Sequence, residues 1–232
     1  MPIFFSSDDI TKIQVDAIVN TANSKLQAGG GVCGAIFRAA GYAQMQEACN
    51  AIGCCNIGSV VLTDGFALPA KYVIHTVGPQ YQKDNTEKTD YLLGRCYEVS
   101  INLARRMRMK SIAFPLISSG KHGYPKEEAL RIAVTSILSS LDYYHIENDL
   151  DVILCLRDPE LQKKASEVQQ QWEGYRRETS NLEFKKVRIQ FYPEDVAKME
   201  SMTLEEKVRF KQKLKAENRY IRLDDPYDVA TR

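Results

Sequence analysis

The stretch from Ile18 to Gly41, IVNTANSKLQAGGGVCGAIFRAAG, constrains this chain more than any other. It runs from β-branched apolar residues through two asparagines and three consecutive glycines into an Ala-rich segment. That order predicts a buried strand, a loop and a helix N-terminus. Backbone N–H groups presented in this way suit an anionic ligand, a phosphate above all. On its own the stretch points to no particular phosphate.

The rest of the chain repeats the alternation. Pro2–Ser6 predicts a short edge strand and Val15–Asn20 a buried one, with a turn at Asp8–Thr11 between them. Val32–Ala40 and Tyr42–Ala51 read as helices ended by Gly41 and Gly53. Ser59–Thr63 and Tyr72–Val77 read as strands, followed by a polar, irregular connection at Gln80–Thr89. Leu93, Cys96, Tyr97, Ile101, Leu103 and Ala104 recur at about 3.6 residues, so Asp90–Met107 is expected to be a long helix. Ser111–Leu116 predicts a buried strand that opens into a second glycine loop, Ile117–Pro125. A helix from Pro125 to Leu141 and a strand at Asp151–Leu156 follow. Strands alternating with helices over residues 1–157 predict a three-layer α/β/α sandwich around a central mixed, largely parallel sheet.

A length of 232 residues suits one such domain and an appendage. After Arg157 the composition turns to Lys, Arg, Glu and Gln, so residues 158–232 are expected to form a charged, mainly helical C-terminal extension. Helices are expected at Glu160–Arg176 and Leu204–Asn218, with a strand at Lys186–Tyr192. Charges of both signs are interleaved there, which fits either a solvated cap on the domain or a surface for a protein partner. A net charge of +1 argues against a nucleic-acid partner. Met1–Ser6 has no basic stretch leading into an apolar one, and no run of about 18 apolar residues occurs. No membrane partner and a cytoplasmic location are therefore expected. The six cysteines follow no disulfide or zinc spacing and read as small, reduced packing residues, with neither metal nor cofactor expected.

The two glycine loops each follow a buried strand and precede a helix. In an open α/β sheet, loops at the carboxyl ends of neighbouring strands share one crevice, where ligands bind. Gly29-Gly30-Gly31-Val32 from loop one and Ser118-Ser119-Gly120-Lys121-His122-Gly123 from loop two would together grip both phosphates of a diphosphate. Glycine matters because a Cβ would hold the phosphate oxygens away. No Gly-Lys-Ser/Thr closes either loop and no GxGxxG follows the first strand, so a P-loop or dinucleotide-dehydrogenase reading has little support.

Over residues 1–157 the chain resembles the macro domain family. The resemblance is carried by Asp9-Ile10-Thr11, Val15–Asn23 (VDAIVNTAN), Gly29–Val32, Gly34-Ala35-Ile36, Arg38–Gly41, Leu68–Pro79 (LPAKYVIHTVGP), Ala113–Gly120 (AFPLISSG) and Gly123-Tyr124-Pro125. It follows the subgroup that hydrolyses ADP-ribose from proteins. The resemblance implies a cleft for ADP-ribose or an ADP-ribosylated protein, with no cofactor. Asp9 would accept a hydrogen bond from the adenine amino group, and Ile10 would add a backbone contact. Gly29, Gly30, Gly31 and Val32, with Ser118, Ser119, Gly120, Lys121, His122 and Gly123, would hold the diphosphate. Asn23 would meet the distal ribose, Tyr124 would wall it, and a residue near Leu156 or Arg157 would cover the adenine.

The implied activity is release of mono-ADP-ribose from protein side chains or deacetylation of O-acetyl-ADP-ribose. Asn23 would position the ribose and water would be the nucleophile. The pattern breaks at Cys33 and Phe37, where that subgroup has aspartate and histidine. The missing carboxylate is a candidate general base, so a slow hydrolase and a reader that binds without cleaving both stay open. Cys33 itself reads as a packing residue, as a water-positioning group in catalysis, or as a nucleophile or metal ligand. His75, inside an apolar run, reads as a satisfied core histidine, and Asp16 as a turn or helix-pairing residue. His122 reads as a backbone contact. Lys121 reads either as charge near the diphosphate or as a solvated side chain.

Overall fold

Successive side chains along a strand point to opposite faces of its sheet, and this divides the chain into layers. Ala17 and Val19 of strand β2 (Ala17–Thr21) share an apolar cluster with Ile74, Ile112, Phe114, Val152 and Leu154. The alternate residues Ile18, Val73 and Ala113 belong to a second cluster on the other face. In the computed structural model, residues 3–179, 189–190, 210 and 221–222 are described.

The other strands of the main sheet are β1 (Phe4–Ser6), β3 (Val60–Asp64), β4 (Tyr72–Thr76), β5 (Ser111–Pro115) and β6 (Asp151–Cys155). Their order is β1-β6-β5-β2-β4-β3, with every pairing parallel except the antiparallel β3–β4 edge. Helices α1 (Gly31–Ala40) and α2 (Tyr42–Ile52) cover one face through Ile36, Phe37, Ala40, Met45 and Cys49. The opposite face carries α3 (Thr86–Arg106), α4 (Lys126–Tyr144) and α5 (Pro159–Thr179), through Leu93, Ile101, Leu130, Ile137, Leu161 and Ala165. The three layers and the mixed, largely parallel sheet are those expected from the sequence.

At the amino ends of the strands, Asp16 ties three of them together. Its Oδ1 accepts from Lys71 Nζ at 2.7 Å, its Oδ2 accepts from the Lys110 amide at 2.6 Å, and its own amide donates to Ser111 Oγ at 2.9 Å. The opposite ends of β1, β2, β5 and β6 are left to the loops that concern function.

Two helix boundaries differ from the sequence reading. Helix α3 starts at Thr86, inside the connection expected to be irregular, after a short 3-10 turn at Lys83–Asn85. Only Thr89 is buried in that first stretch, so no apolar stripe announces it. Helix α4 runs on to Tyr144, where His145 takes a left-handed conformation with φ of 54°. Helix α5 packs against β1: Gln169 Oε1 accepts from the Ile3 amide at 2.9 Å, and Ala165 is fully buried.

By its internal contacts the chain forms two compact units, Met1–Arg176 and Arg177–Arg232. The first thus extends past the compositional shift at Arg157. In the second, β7 (Ile189–Gln190) pairs antiparallel with β8 (Ile221–Arg222). Apart from residues 189–190 and 210, the expected strand Lys186–Tyr192 and helix Leu204–Asn218 lie outside the described residues. Among the described residues no helix is long and apolar enough to cross a membrane.

Candidate functional site

The crevice starts where two neighbouring strands part. Strands β2 and β5 pair only over Ala17–Ile112 and Ile18–Ala113, whereas β2 stays paired with β4 through Thr21–Thr76. Beyond Ile18 the β2–β5 seam is open, and loop one leaves β2 and loop two leaves β5 on either side of it. This is a switch point of a parallel sheet, at the carboxyl ends of its strands.

Loop one is held by side-chain amides. Asn23 Oδ1 accepts from the Lys25 and Gln27 amides at 3.1 and 3.2 Å, and its Nδ2 donates to the Gln27 carbonyl at 2.6 Å. Gln46 of α2 accepts from the Ala28 amide at 2.9 Å and donates to Asn50 Oδ1 at 3.0 Å, and Asn50 Oδ1 also accepts from Gln27 Nε2. Asn23, expected to meet a ribose, therefore also shapes the loop that carries it. Gln46 and Asn50 escaped the sequence reading; their i, i+4 spacing on one helix face was the available signal.

Gly29, Gly30 and Gly31 are exposed and lead into α1, with Gly30 at the N-cap and Gly31 at a φ of 61°. Val32 is half-buried, so the turn presents backbone more than side chain. Gly34 allows the helix to approach the loop, since a Cβ there would lie 2.4 Å from the Gly29 carbonyl oxygen.

Loop two is a chain of short-range bonds. Ser119 Oγ donates to the Leu116 carbonyl at 2.8 Å, the Gly123 amide to the Gly120 carbonyl at 2.9 Å, and the Tyr124 amide to the Ser118 carbonyl at 3.1 Å. Ser118 has a φ of 63° and Gly123 one of 71°. The His122 carbonyl accepts from the Tyr81 amide at 2.9 Å. Gly120 and Lys121 are exposed, and Lys121 Nζ reaches loop one: a Cβ on Gly30 would lie 3.0 Å from it. The two glycine loops thus meet across the crevice.

Tyr124, the expected sugar wall, is held by Asp90 of α3 and by Tyr81. It is 2% exposed, its hydroxyl donates to Asp90 Oδ1, and its ring meets Tyr81 edge-on with centroids 4.9 Å apart. Burial, reinforced by the Asp90 carboxylate, pushes its hydroxyl pKa up. In this conformation Tyr124 anchors loop two to α3.

At the far end of the same sheet edge, Asp9 follows β1. Its Oδ1 accepts from the Thr11 amide at 3.1 Å and the Thr11 hydroxyl at 2.9 Å, capping a short turn at Ile10–Lys12 in which Ile10 is buried. Its Oδ2 lies 3.5 Å from Arg157 Nη2. The Thr11 amide and hydroxyl, with Arg157 beside them, hold the Asp9 carboxyl below its usual pKa. Of the two residues proposed to cover a ligand here, Arg157 is exposed and faces Asp9, and Leu156 is buried.

Beneath loop one lies a polar chain inside the core. Asn20 and His75 are register partners on β2 and β4, both fully buried. Asn20 Nδ2 donates to His75 Nδ1 at 3.0 Å, and His75 Nε2 donates to Thr63 Oγ1 at 2.8 Å. Thr63 in turn donates to Met45 Sδ at 3.4 Å. This is the neutral imidazole, and burial lowers its pKa to about 4. Asn20 Nδ2 also approaches Cys33 Sγ at 3.7 Å.

Cys33 is 4% exposed and Phe37 1%, and both belong to the apolar cluster under α1, with Phe37 edge-on to His75. The packing reading of Cys33 fits this geometry. The other cysteines are free thiols too, and burial pushes those of Cys49 and Cys96 up to about 11. Among the described residues, no three His, Cys, Asp or Glu side chains gather to hold a metal ion. Among the described residues, Asn20 Oδ1 and Ser118 Oγ are buried with no hydrogen-bond partner, one under each loop.

The Macro domain family model matches residues 19–133. A macro domain-containing protein of Methanosarcina mazei is 46% identical over 150 residues, 65% of this chain and 79% of that protein. The ADP-ribose glycohydrolase MACROD1 of Mus musculus is 45% identical over 148 residues, which are 64% of this chain and 45% of that longer protein. Among solved structures, the Trypanosoma brucei macrodomain in complex with ADP-ribose superposes with a TM-score of 0.64 at 35% identity, covering 71% of this chain and 68% of that one. The strand order, the two glycine loops and these likenesses lead to one conclusion: the chain belongs to the macro domain family.

Proposed function

We propose that the cleft binds ADP-ribose, and that its natural ligand is the ADP-ribose group on a modified protein. The observation that carries this reading is the order of chemistry along one sheet edge. Strands β1, β6, β5 and β2 are neighbours, so Asp9, Arg157, loop two and loop one follow one another across three strand spacings, about 14 Å. A carboxylate acceptor stands at one end, two glycine loops with a helix N-terminus in the middle, and an amide-rich loop at the other. ADP-ribose has the same order of parts: an adenine amino donor, a diphosphate, and a terminal ribose rich in hydroxyls.

Asp9, ionised at neutral pH, accepts only, which suits an amino group and rejects a carbonyl at that position. The diphosphate would take backbone N–H groups at the start of α1, where the helix dipole favours negative charge. The complex of the Trypanosoma brucei macrodomain with ADP-ribose supports the same reading. Calorimetry with free ADP-ribose tests it: binding is expected, and Asp9→Ala should weaken it about tenfold or more. Unchanged affinity in that variant would remove Asp9 from the site.

Likeness to the glycohydrolase MACROD1 favours a second reading, in which the bound group is also released. The side chains give that chemistry little help, because Cys33 and Phe37 are buried and bring neither carboxylate nor imidazole to the cleft. Hydrolysis would then draw on a phosphate oxygen of the substrate to activate water, with Asn23 and its loop orienting the terminal ribose. Release from mono-ADP-ribosylated protein, lost in Asn23→Ala, is the measurement for this activity. Binding without release leaves the protein a reader.

A further inference from the structure

We propose that Lys25 and Arg38 form a basic docking surface on the rim of the cleft, and that it selects ADP-ribosylated side chains lying in acidic segments of the partner protein. The proposal rests on the ADP-ribose reading above and names the kind of partner segment that reading leaves open.

Loop one sets Lys25 on its outer surface. Asn23 Oδ1 accepts from the Lys25 amide at 3.1 Å, and the Lys25 carbonyl accepts from Gln27 Nε2 at 3.2 Å. Leu26 turns inward with a left-handed φ of 55° and 1% exposure. The Lys25 backbone is thus fixed beside Asn23 while the residue stays exposed. Arg38 is exposed on α1, and its guanidinium folds back toward the head of that helix. A Cβ on Gly34 would lie 3.2 Å from Arg38 Nη1 and 2.4 Å from the Gly29 carbonyl oxygen. Both cations therefore border loop one.

Neither charge is answered within the molecule. From Ala17 to Ile52 the only acidic residue is Glu47. Among the described residues no ion pair involves Lys25, Arg38 or Glu47. The opposite end of the cleft has the reverse character, with Asp8, Asp9, Asp158 and Glu160 against Lys12 and Arg157.

Free ADP-ribose gives these two cations little to bind. Its charge is on the diphosphate, which the reading places at the head of α1, and its terminal ribose is neutral. What extends past that ribose is the modified protein. A serine or carboxylate side chain joined to the ribose is uncharged, so the anions that meet Lys25 and Arg38 come from neighbouring residues of the partner. Exposed cations attract such a segment over about 8 Å at physiological salt.

The test is fluorescence anisotropy with short peptides that carry ADP-ribose through a hydrolysis-resistant linkage, flanked by Asp and Glu, by Ser and Gln, or by Lys. Calorimetry with free ADP-ribose runs beside it. The wild type should hold the acid-flanked peptide about fivefold tighter than the neutral one at low salt, and high salt should erase the difference. The double variant Lys25→Gln, Arg38→Gln should bind all three peptides alike and keep free ADP-ribose within about twofold. The charge reversal Lys25→Glu, Arg38→Glu should favour the Lys-flanked peptide.

Equal wild-type affinity for the three peptides, or an acidic preference that survives the glutamine variant, overturns the assignment. Loss of free ADP-ribose from that variant also overturns it, since the cations would then belong to the ligand site itself. Free ADP-ribose separates the two ideas. If it binds the wild type and the peptides are not distinguished, the docking surface falls and the ADP-ribose reading stands. If neither it nor any peptide binds, the ADP-ribose reading falls and takes the docking surface with it.

Discussion

At the scale of single residues, the buried polar chain under loop one has a measurable consequence. His75 is neutral in the fold, with a pKa lowered by burial to about 4, while an unfolded chain protonates its histidine near 6.5. Between those values the unfolded state takes up a proton that the folded state refuses. The stabilising effect is therefore complete above about pH 6.5 and is lost as pH falls toward 4, by roughly 3 kcal/mol in all. Urea midpoints measured from pH 7 to pH 4.5 should fall more steeply for the wild type than for His75→Gln, which cannot titrate. Parallel curves would mean that His75 is solvated when folded. The core role of His75 was legible because it lies in the apolar run Tyr72–Val77. The inward turn of Tyr124 was not, because its partner Asp90 stands 34 residues away on α3. Cys33 lies between these cases: the sequence exposed the missing carboxylate, but only the packing of Phe37 against His75 fits the thiol into the core.

At the scale of elements, the strand–loop–helix unit around α1 was legible almost residue by residue, since β-branching, the glycine triplet and Gly41 each mark a boundary. The start of α3 was hidden because its first turn has one buried residue and no stripe. Within the α1 unit the least replaceable glycine is Gly34, which lies outside the triplet. A methyl group there would press on the Gly29 carbonyl at 2.4 Å, a backbone atom that cannot swing aside, so α1 or loop one must shift. Gly34→Ala is therefore expected to cost about 1–3 kcal/mol in denaturant unfolding and to weaken ADP-ribose binding as well. Gly120→Ala is the contrast for stability, because nothing lies within 4 Å of the added methyl and the φ is not left-handed. Equal stabilities for the two variants would mean that loop one yields freely, and the N–H groups at the head of α1 would then not be preorganised.

At the scale of the whole molecule, the composition changes at Arg157, whereas the compact unit runs on to Arg176. The cleft gathers loops that leave four parallel strands at one sheet edge, an arrangement implied by strand–helix alternation alone. The end of the compact unit depends on α5, whose polar composition hides a narrow buried stripe: Leu161, Ala165 and Gln169 are each 9% exposed or less. Gln169 caps the amide of Ile3, and so the helix fastens β1, the strand that leads into Asp9. A chain ended at Arg157 would leave that amide and the apolar face over β1 and β6 open to water. Losing the Leu161 contact alone is worth about 2 kcal/mol, so this shorter chain should melt at least about 5 °C below one ended at Arg176. Its ADP-ribose affinity should fall with it, because Asp9 is presented by the strand that loses its support. Calorimetric melting of the two truncations, each with and without ADP-ribose, measures both effects. Equal melting temperatures would make α5 a passenger on the sheet, and would return the boundary to Arg157, where the composition changes.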